Sequence, residues 1–96
     1  MREAWVYMLA NRYRGTIYTG VTANIAVRAA QHRARAGSKF ASKYRLLRLV
    51  HVERHDTMPL AIAREKAAKK WLRDWKIELI ESTNPDWNDL FPTINA

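Results

Sequence analysis

The sequence predicts a mixed α+β domain, and three observations predict it. Two short aromatic and β-branched runs, Trp5 to Leu9 and Ile17 to Val21, flank a polar segment that contains Gly15, the pattern of an antiparallel hairpin. The stretch from Ile25 to Ala34 is rich in alanine and holds neither Gly nor Pro, which suits a helix. At 96 residues, 48% hydrophobic with four Trp, the chain has enough apolar mass for one core, so a single domain over 1–96 with its core at about 5–90 is expected.

Strand side chains alternate between faces, so in the hairpin Tyr7 shares a face with Trp5 and Leu9, while Tyr18 shares one with Gly20. Whether the two tyrosines share a face depends on register, which the sequence leaves open. Thr22 or Asn24 then caps a helix that runs to about Arg35. On that helix Arg28 and His32 are one turn apart, beside the stripe of Ile25 and Ala29. Such an edge position lets a partly desolvated side chain reach a cleft.

Gly37 to Arg45 reads as a basic loop and Leu46 to Glu53 as a third strand. Asp56 or Thr57 caps a second long helix with Pro59 in its first turn, running through Trp71 or beyond. Its apolar stripe is Leu60, Ala67 and Trp71, with Ala61, Ala68 and Leu72 on one shoulder. Glu65 falls on that shoulder between Ala61 and Ala68, where an open carboxylate suits a metal ligand or a charge partner. Ile77, Leu79 and Ile80 form a third helical segment ended by Asn84-Pro85, after which Trp87, Leu90 and Phe91 pack back as a tail. There is no internal repeat and no linker.

The absence of Cys excludes a disulfide scaffold, a thiolate metal site and a Cys nucleophile. No apolar stretch approaches the ~20 residues needed to span a bilayer, and no leader-like h-region follows Met1, so a cytoplasmic protein without membrane contact is expected. The net charge of +8 is unevenly spread: residues 24–54 carry +7, residues 1–23 carry +2 and residues 55–96 carry −1. Within the basic segment, Gly37, Ser38, Phe40, Ser42 and Tyr44 interrupt the cations, among them Lys39, Lys43 and Arg45. That pattern fits a loop able to follow a phosphate backbone, and equally a solvated basic face.

Three isolated Gly cannot form a phosphate-cradling loop, and no nucleophile-elbow context surrounds Ser38, Ser42 or Ser82. His51 and His55 read as a strand residue and a turn residue rather than a zinc pair. What remains is two tyrosines on a hairpin, an Arg and a His one helical turn apart, and one carboxylate. These are suitable parts for phosphodiester hydrolysis, which needs an activated water, positive charge near the phosphorane-like oxygens and help for the leaving oxygen. Each also has an ordinary structural role open to it: sheet aromatics, a basic face, and an i,i+4 partner for Lys69.

The order of the parts resembles the GIY-YIG nuclease superfamily, in particular its small stand-alone bacterial YhbQ-like group, from about Trp5 to Leu90. The resemblance rests on Val6-Tyr7, on Tyr18-Thr19-Gly20 followed by Val21-Thr22, and on Arg28 with His32. It continues through Lys43-Tyr44, Ala61 to Lys66, Lys69-Lys70-Trp71 and Asn84 to Trp87. Trp5 and Thr19 depart from the signature's Gly and Ile, but neither position bears a reacting group.

The resemblance implies a three-stranded antiparallel sheet flanked by helices, with the active site on the sheet face beside the first helix. It implies Tyr7 and Tyr18 as the signature tyrosines, one of them the general base, with Tyr7 preferred here. Arg28 would stabilise transition-state charge, Glu65 would hold one Mg²⁺ or Mn²⁺, and His32 and Asn84 would support the site. Arg33, Arg35, Lys39, Lys43 and Arg45 would hold the nucleic-acid backbone. The expected activity is a metal-dependent endonuclease acting on DNA with low sequence preference, on branched, damaged or single-stranded substrates, in repair or recombination. A non-catalytic nucleic-acid-binding module is the rival, and a module docking a targeting protein through Trp71, Trp75 and Trp87 is a third reading. The molecule is expected to be a monomer or weak homodimer.

Overall fold

A computed structural model describes residues 3–34 and 39–94. Strands β1 (Ala4–Ala10), β2 (Ile17–Thr22) and β3 (Arg48–His55) form one antiparallel sheet in the order β2-β1-β3. Helices α1 (Ile25–Arg33), α2 (Lys39–Lys43), α3 (Met58–Lys69), α4 (Arg73–Thr83) and α5 (Phe91–Ile94) surround it. This is the flanked three-stranded sheet that the family resemblance implies. Among the described residues no helix is long and apolar enough to cross a membrane.

The central strand β1 is apolar along its length because both of its faces are covered. Tyr7 and Leu9 pack with Ile25, Ala29, Ala41, Leu46 and Leu49 under α1, α2 and α5. Met8 and Ala10 pack with Val50, Ala68, Ile80 and Trp87, and Ala4 and Val6 pack with Ala61, so α3 and α4 form the opposite layer. The register pairs Tyr7 with Gly20 and Leu9 with Tyr18. Residues directly opposite in a sheet share a face, so Tyr7 and Tyr18 do too.

The pairing of β1 with β3 slips between Met8 and Leu9, which face His51 and Leu49 and leave Val50 as a bulge residue. Asn84 occupies that irregularity: its side-chain amide donates to the Val50 carbonyl at 3.0 Å and the Asn88 carbonyl at 2.9 Å. Its own carbonyl oxygen accepts from the Asn88 amide at 3.0 Å.

Four boundaries differ from the sequence reading. The segment read as a basic loop contains α2, whose end uses Leu46 and Leu47 in a turn, with Leu46 N donating to Ala41 O at 2.8 Å and Leu47 N to Arg45 O at 2.9 Å. The third strand therefore begins at Arg48 and extends to His55, which is a strand residue and not a turn residue. The second long helix stops at Lys69, short of Trp71, and α1 stops at Arg33. On α3 the buried face is the shoulder, Ala61 and Ala68, while Leu60 is 55% exposed. Two alanines let the helix lie close on a tightly packed sheet, and a leucine there would hold it off.

Candidate active site

Tyr7 reaches the site because β2 has no side chain at Gly20. A Cβ on Gly20 would stand 2.4 Å from the Tyr7 hydroxyl oxygen, so the phenol occupies space that only glycine leaves open. Immediately after β2, Thr22 Oγ1 accepts from Asn24 N at 3.1 Å, and Asn24 Oδ1 caps α1 by accepting from Val27 N at 3.1 Å. Only two residues thus separate the strand from the helix. Its Arg28 and His32 face the sheet on successive turns.

Both converge on one atom. Arg28 Nε donates to the Tyr7 hydroxyl at 3.2 Å, and His32 Nε2 lies 3.0 Å from the same oxygen. Burial, aided by the Arg28 charge, lowers the His32 pKa to about 4, so the imidazole is neutral at pH 7. A hydroxyl that already accepts from Arg28 has its proton to give, and a neutral imidazole protonated on Nδ1 accepts it. In that tautomer the Tyr7 O–H donates to His32 Nε2. Burial pushes the Tyr7 phenol above its ordinary pKa, and the Arg28 hydrogen bond and charge pull against that rise.

Tyr18 is half-buried, its ring centroid 6.4 Å from that of Tyr7 and 5.8 Å from that of His32. Gln31, not singled out from the sequence, accepts from Arg28 Nη1 at 3.1 Å. Its position three residues after Arg28 is the helical spacing that could have identified it.

Glu65 stands on α3 and bonds Lys69 Nζ at 2.9 Å with its side chain 13% exposed. Its negative charge is one of those that raise Tyr7. Among the described residues no group of three or more His, Asp or Glu could enclose a metal ion. A single carboxylate fits a Mg²⁺-type cation, which is commonly held by one or two carboxylates together with water and substrate phosphate oxygens.

The other expected residues are dispersed. Asn84, 5% exposed, is bonded to backbone groups of Val50 and Asn88 beside the bulge. Lys39, Lys43 and Arg45 are exposed on and just after α2. Arg33 is paired with Asp89 and lies over the Phe91 ring at 4.7 Å, so it ties α1 to the tail. Arg35 lies outside the described residues. Of the tryptophans considered as a docking face, Trp87 is fully buried, whereas Trp75 is 55% exposed and meets Trp71 edge-on at 6.4 Å.

A second polar cluster went unread in the sequence. Glu53 takes His51 Nε2 at 2.9 Å, His55 Nε2 at 2.9 Å and Arg64 Nε at 2.8 Å. Burial would raise its carboxyl, but these hydrogen bonds, led by His51, hold it well below the usual range. The signal was available, since residues 51, 53 and 55 alternate onto one strand face.

Known proteins align with the chain as follows. The sequence model of the GIY-YIG catalytic domain matches residues 3–78, a span that includes Tyr7, Tyr18, Arg28, His32 and Glu65 and ends before Asn84. A UPF0213 protein of Syntrophus aciditrophicus is 36% identical over 87 residues, covering 90% of this chain and 98% of that protein. The UPF0213 protein of Natronomonas pharaonis is 38% identical over 78 residues, 81% of this chain and 91% of its own. That of Staphylococcus haemolyticus is 32% identical over 81 residues, 84% and 98% respectively. The relatives come from archaea as well as bacteria, a wider range than the bacterial group of the sequence reading. No solved structure matches the chain.

Proposed function

The chain belongs to the GIY-YIG family, and from that premise we propose that it is an endonuclease that hydrolyses phosphodiester bonds of DNA with low intrinsic sequence preference. The observation that carries this reading is the Tyr7 hydroxyl held between Arg28 Nε at 3.2 Å and neutral His32 Nε2 at 3.0 Å. As a water attacks phosphorus in line, its proton passes to the Tyr7 oxygen while the Tyr7 proton passes to His32 Nε2. The bond from phosphorus to the leaving oxygen breaks, and that oxygen takes a proton from solvent. Tyr7 thereby works as base without being a phenolate beforehand, which its burial disfavours. Arg28 supplies positive charge beside the reacting oxygens.

GIY-YIG nucleases are generally divalent-metal dependent, and here Glu65 would hold Mg²⁺ or Mn²⁺, exchanging its contact with Lys69. When bound, such a cation neutralises charge on the phosphate and on the leaving oxygen. Because Tyr7 is only 1% exposed and Tyr18 is half-buried, a second arrangement has Tyr18 meet the water first. Tyr18→Phe and Tyr7→Phe separate the two. We further propose a cytoplasmic enzyme, monomeric or weakly dimeric, working in repair or recombination with a protein partner that targets it.

The test is nicking of supercoiled plasmid and cutting of branched, single-stranded and RNA substrates in Mg²⁺ or Mn²⁺. The parent is expected to cut. Tyr7→Phe and Glu65→Ala should each lose about 100-fold or more, the scale of general acid–base catalysis. Salt-sensitive binding without cutting by the parent would replace the nuclease with a non-catalytic binding module.

A further inference from the structure

From the catalytic cluster a line of rings leads away toward solvent. Tyr18 lies 6.2 Å from Phe40, nearly parallel at 28°, and Phe40 lies 4.8 Å from Tyr44. Tyr18 is in turn 6.4 Å from Tyr7, so Phe40 connects to the reacting group through two short steps and Tyr44 through three. Phe40 on the five-residue α2 and Tyr44 in the turn just after it are each 45% exposed. Ala41, at 2% exposure, and Leu46, at 0%, anchor this segment in the core. Cations accompany the rings: Lys43 Nζ lies 5.5 Å from the Tyr44 centroid, and Lys39 and Arg45 are exposed beside it.

We propose that Phe40 and Tyr44 form a stacking site for an unpaired base of the DNA substrate, with Lys39, Lys43 and Arg45 holding its phosphates. Part-exposed rings interleaved with cations are the chemistry of single-strand binding, because every base has a π-face and the cations follow the backbone. In a duplex those faces are covered by neighbouring base pairs. The site therefore favours substrates whose bases are free near the scissile bond. This inference rests on reading the Tyr7 cluster as a nuclease.

The experiment measures binding of the whole protein, without divalent cation, to a single-stranded oligonucleotide and to the same strand with abasic positions at its centre. A strand carrying 2-aminopurine at those positions reports stacking by loss of fluorescence. The intact strand should bind about 5- to 150-fold more tightly per stacked base, the range for base–aromatic stacking, with quenching on binding. Tyr44→Leu and Phe40→Leu should remove that preference and the quenching while leaving affinity for the abasic strand unchanged. Equal affinity of the parent for both strands would overturn the proposal, and that comparison needs no variant to fold. Equal weakening on both strands by the leucine variants would also overturn it, marking the rings as anchors of α2. A parent that shows the preference but never cuts removes the nuclease reading alone. One that cuts without the preference removes the stacking site alone.

Discussion

The position of the Tyr7 hydroxyl depends on what is missing at Gly20. With a methyl group 2.4 Å from that oxygen, Gly20→Ala must displace the phenol from Arg28 and His32. The expected cost is about 1–3 kcal/mol of stability, as for overpacking, read from denaturant midpoints. Nicking should fall by about 100-fold, the loss typical of a reacting group displaced by about 1 Å. His32 makes a separate prediction. Its folded pKa of about 4 lies below the value of about 6.5 expected in the unfolded chain, so between these the unfolded state binds more protons. Stability from this residue is complete above pH 6.5 and is lost as pH falls toward 4, by up to about 3 kcal/mol. Unfolding at a series of pH values should show that decline, and His32→Gln should flatten it. Tyr7, Arg28 and His32 were legible as separate residues from strand alternation and helical spacing. Their meeting at one oxygen was not, because it depends on strand register. Glu53 was legible only in part: its alternation with His51 and His55 could be read, but its partner Arg64 comes from α3, and the sequence did not show which face of α3 lies on the sheet.

At the scale of elements, α2 is where the sequence reading and the structure part most. A run of Lys, Phe, Ala, Ser and Lys carries weak helical signals, and its order comes from the burial of Ala41 and from the turn that follows. That turn places Arg45 at φ 55, the left-handed region, with Leu46 N bonded back to Ala41 O and Arg45 N to Ser42 O at 3.2 Å. This is the closing pattern of a helix that glycine usually completes. An arginine there bears about 1–2 kcal/mol of steric strain, and its cation beside α2 is what the position keeps in exchange. Arg45→Gly should therefore raise thermal stability by about 1 kcal/mol while weakening DNA binding. A glycine variant that lost stability would show that Arg45 anchors the turn. The bulge at Val50 and the alanine face of α3 were illegible for a shared reason. Each is decided by how closely a neighbouring layer approaches, and a single strand or helix does not carry that distance in its own periodicity.

For the whole molecule, the charge asymmetry of the sequence becomes an asymmetry of layers. The +7 segment builds α1, α2 and β3, and its exposed cations Lys39, Lys43 and Arg45 lie on the layer that holds Tyr7, Tyr18 and His32. In the α3–α4 layer Arg64 and Lys69 are paired with Glu53 and Glu65 and Glu81 pairs with Arg14, while Lys66 and Lys70 are exposed and residues 55–96 together carry −1. Nucleic acid should therefore sit on the first layer. Each phosphate neutralised on a single strand contributes about −0.7 to the slope of log affinity against log salt. Replacing Lys39, Lys43 and Arg45 together by Gln should reduce the magnitude of that slope by about 2, measured by titration of a single-stranded oligonucleotide over a range of salt. Replacing the exposed Lys66 and Lys70 of the α3 end by Gln removes a similar charge from the other layer and should leave the slope nearly unchanged. If both sets flatten the slope in proportion to the charge removed, the excess acts as a diffuse field over the molecule and the layer beside Tyr7 has no privileged claim on the backbone.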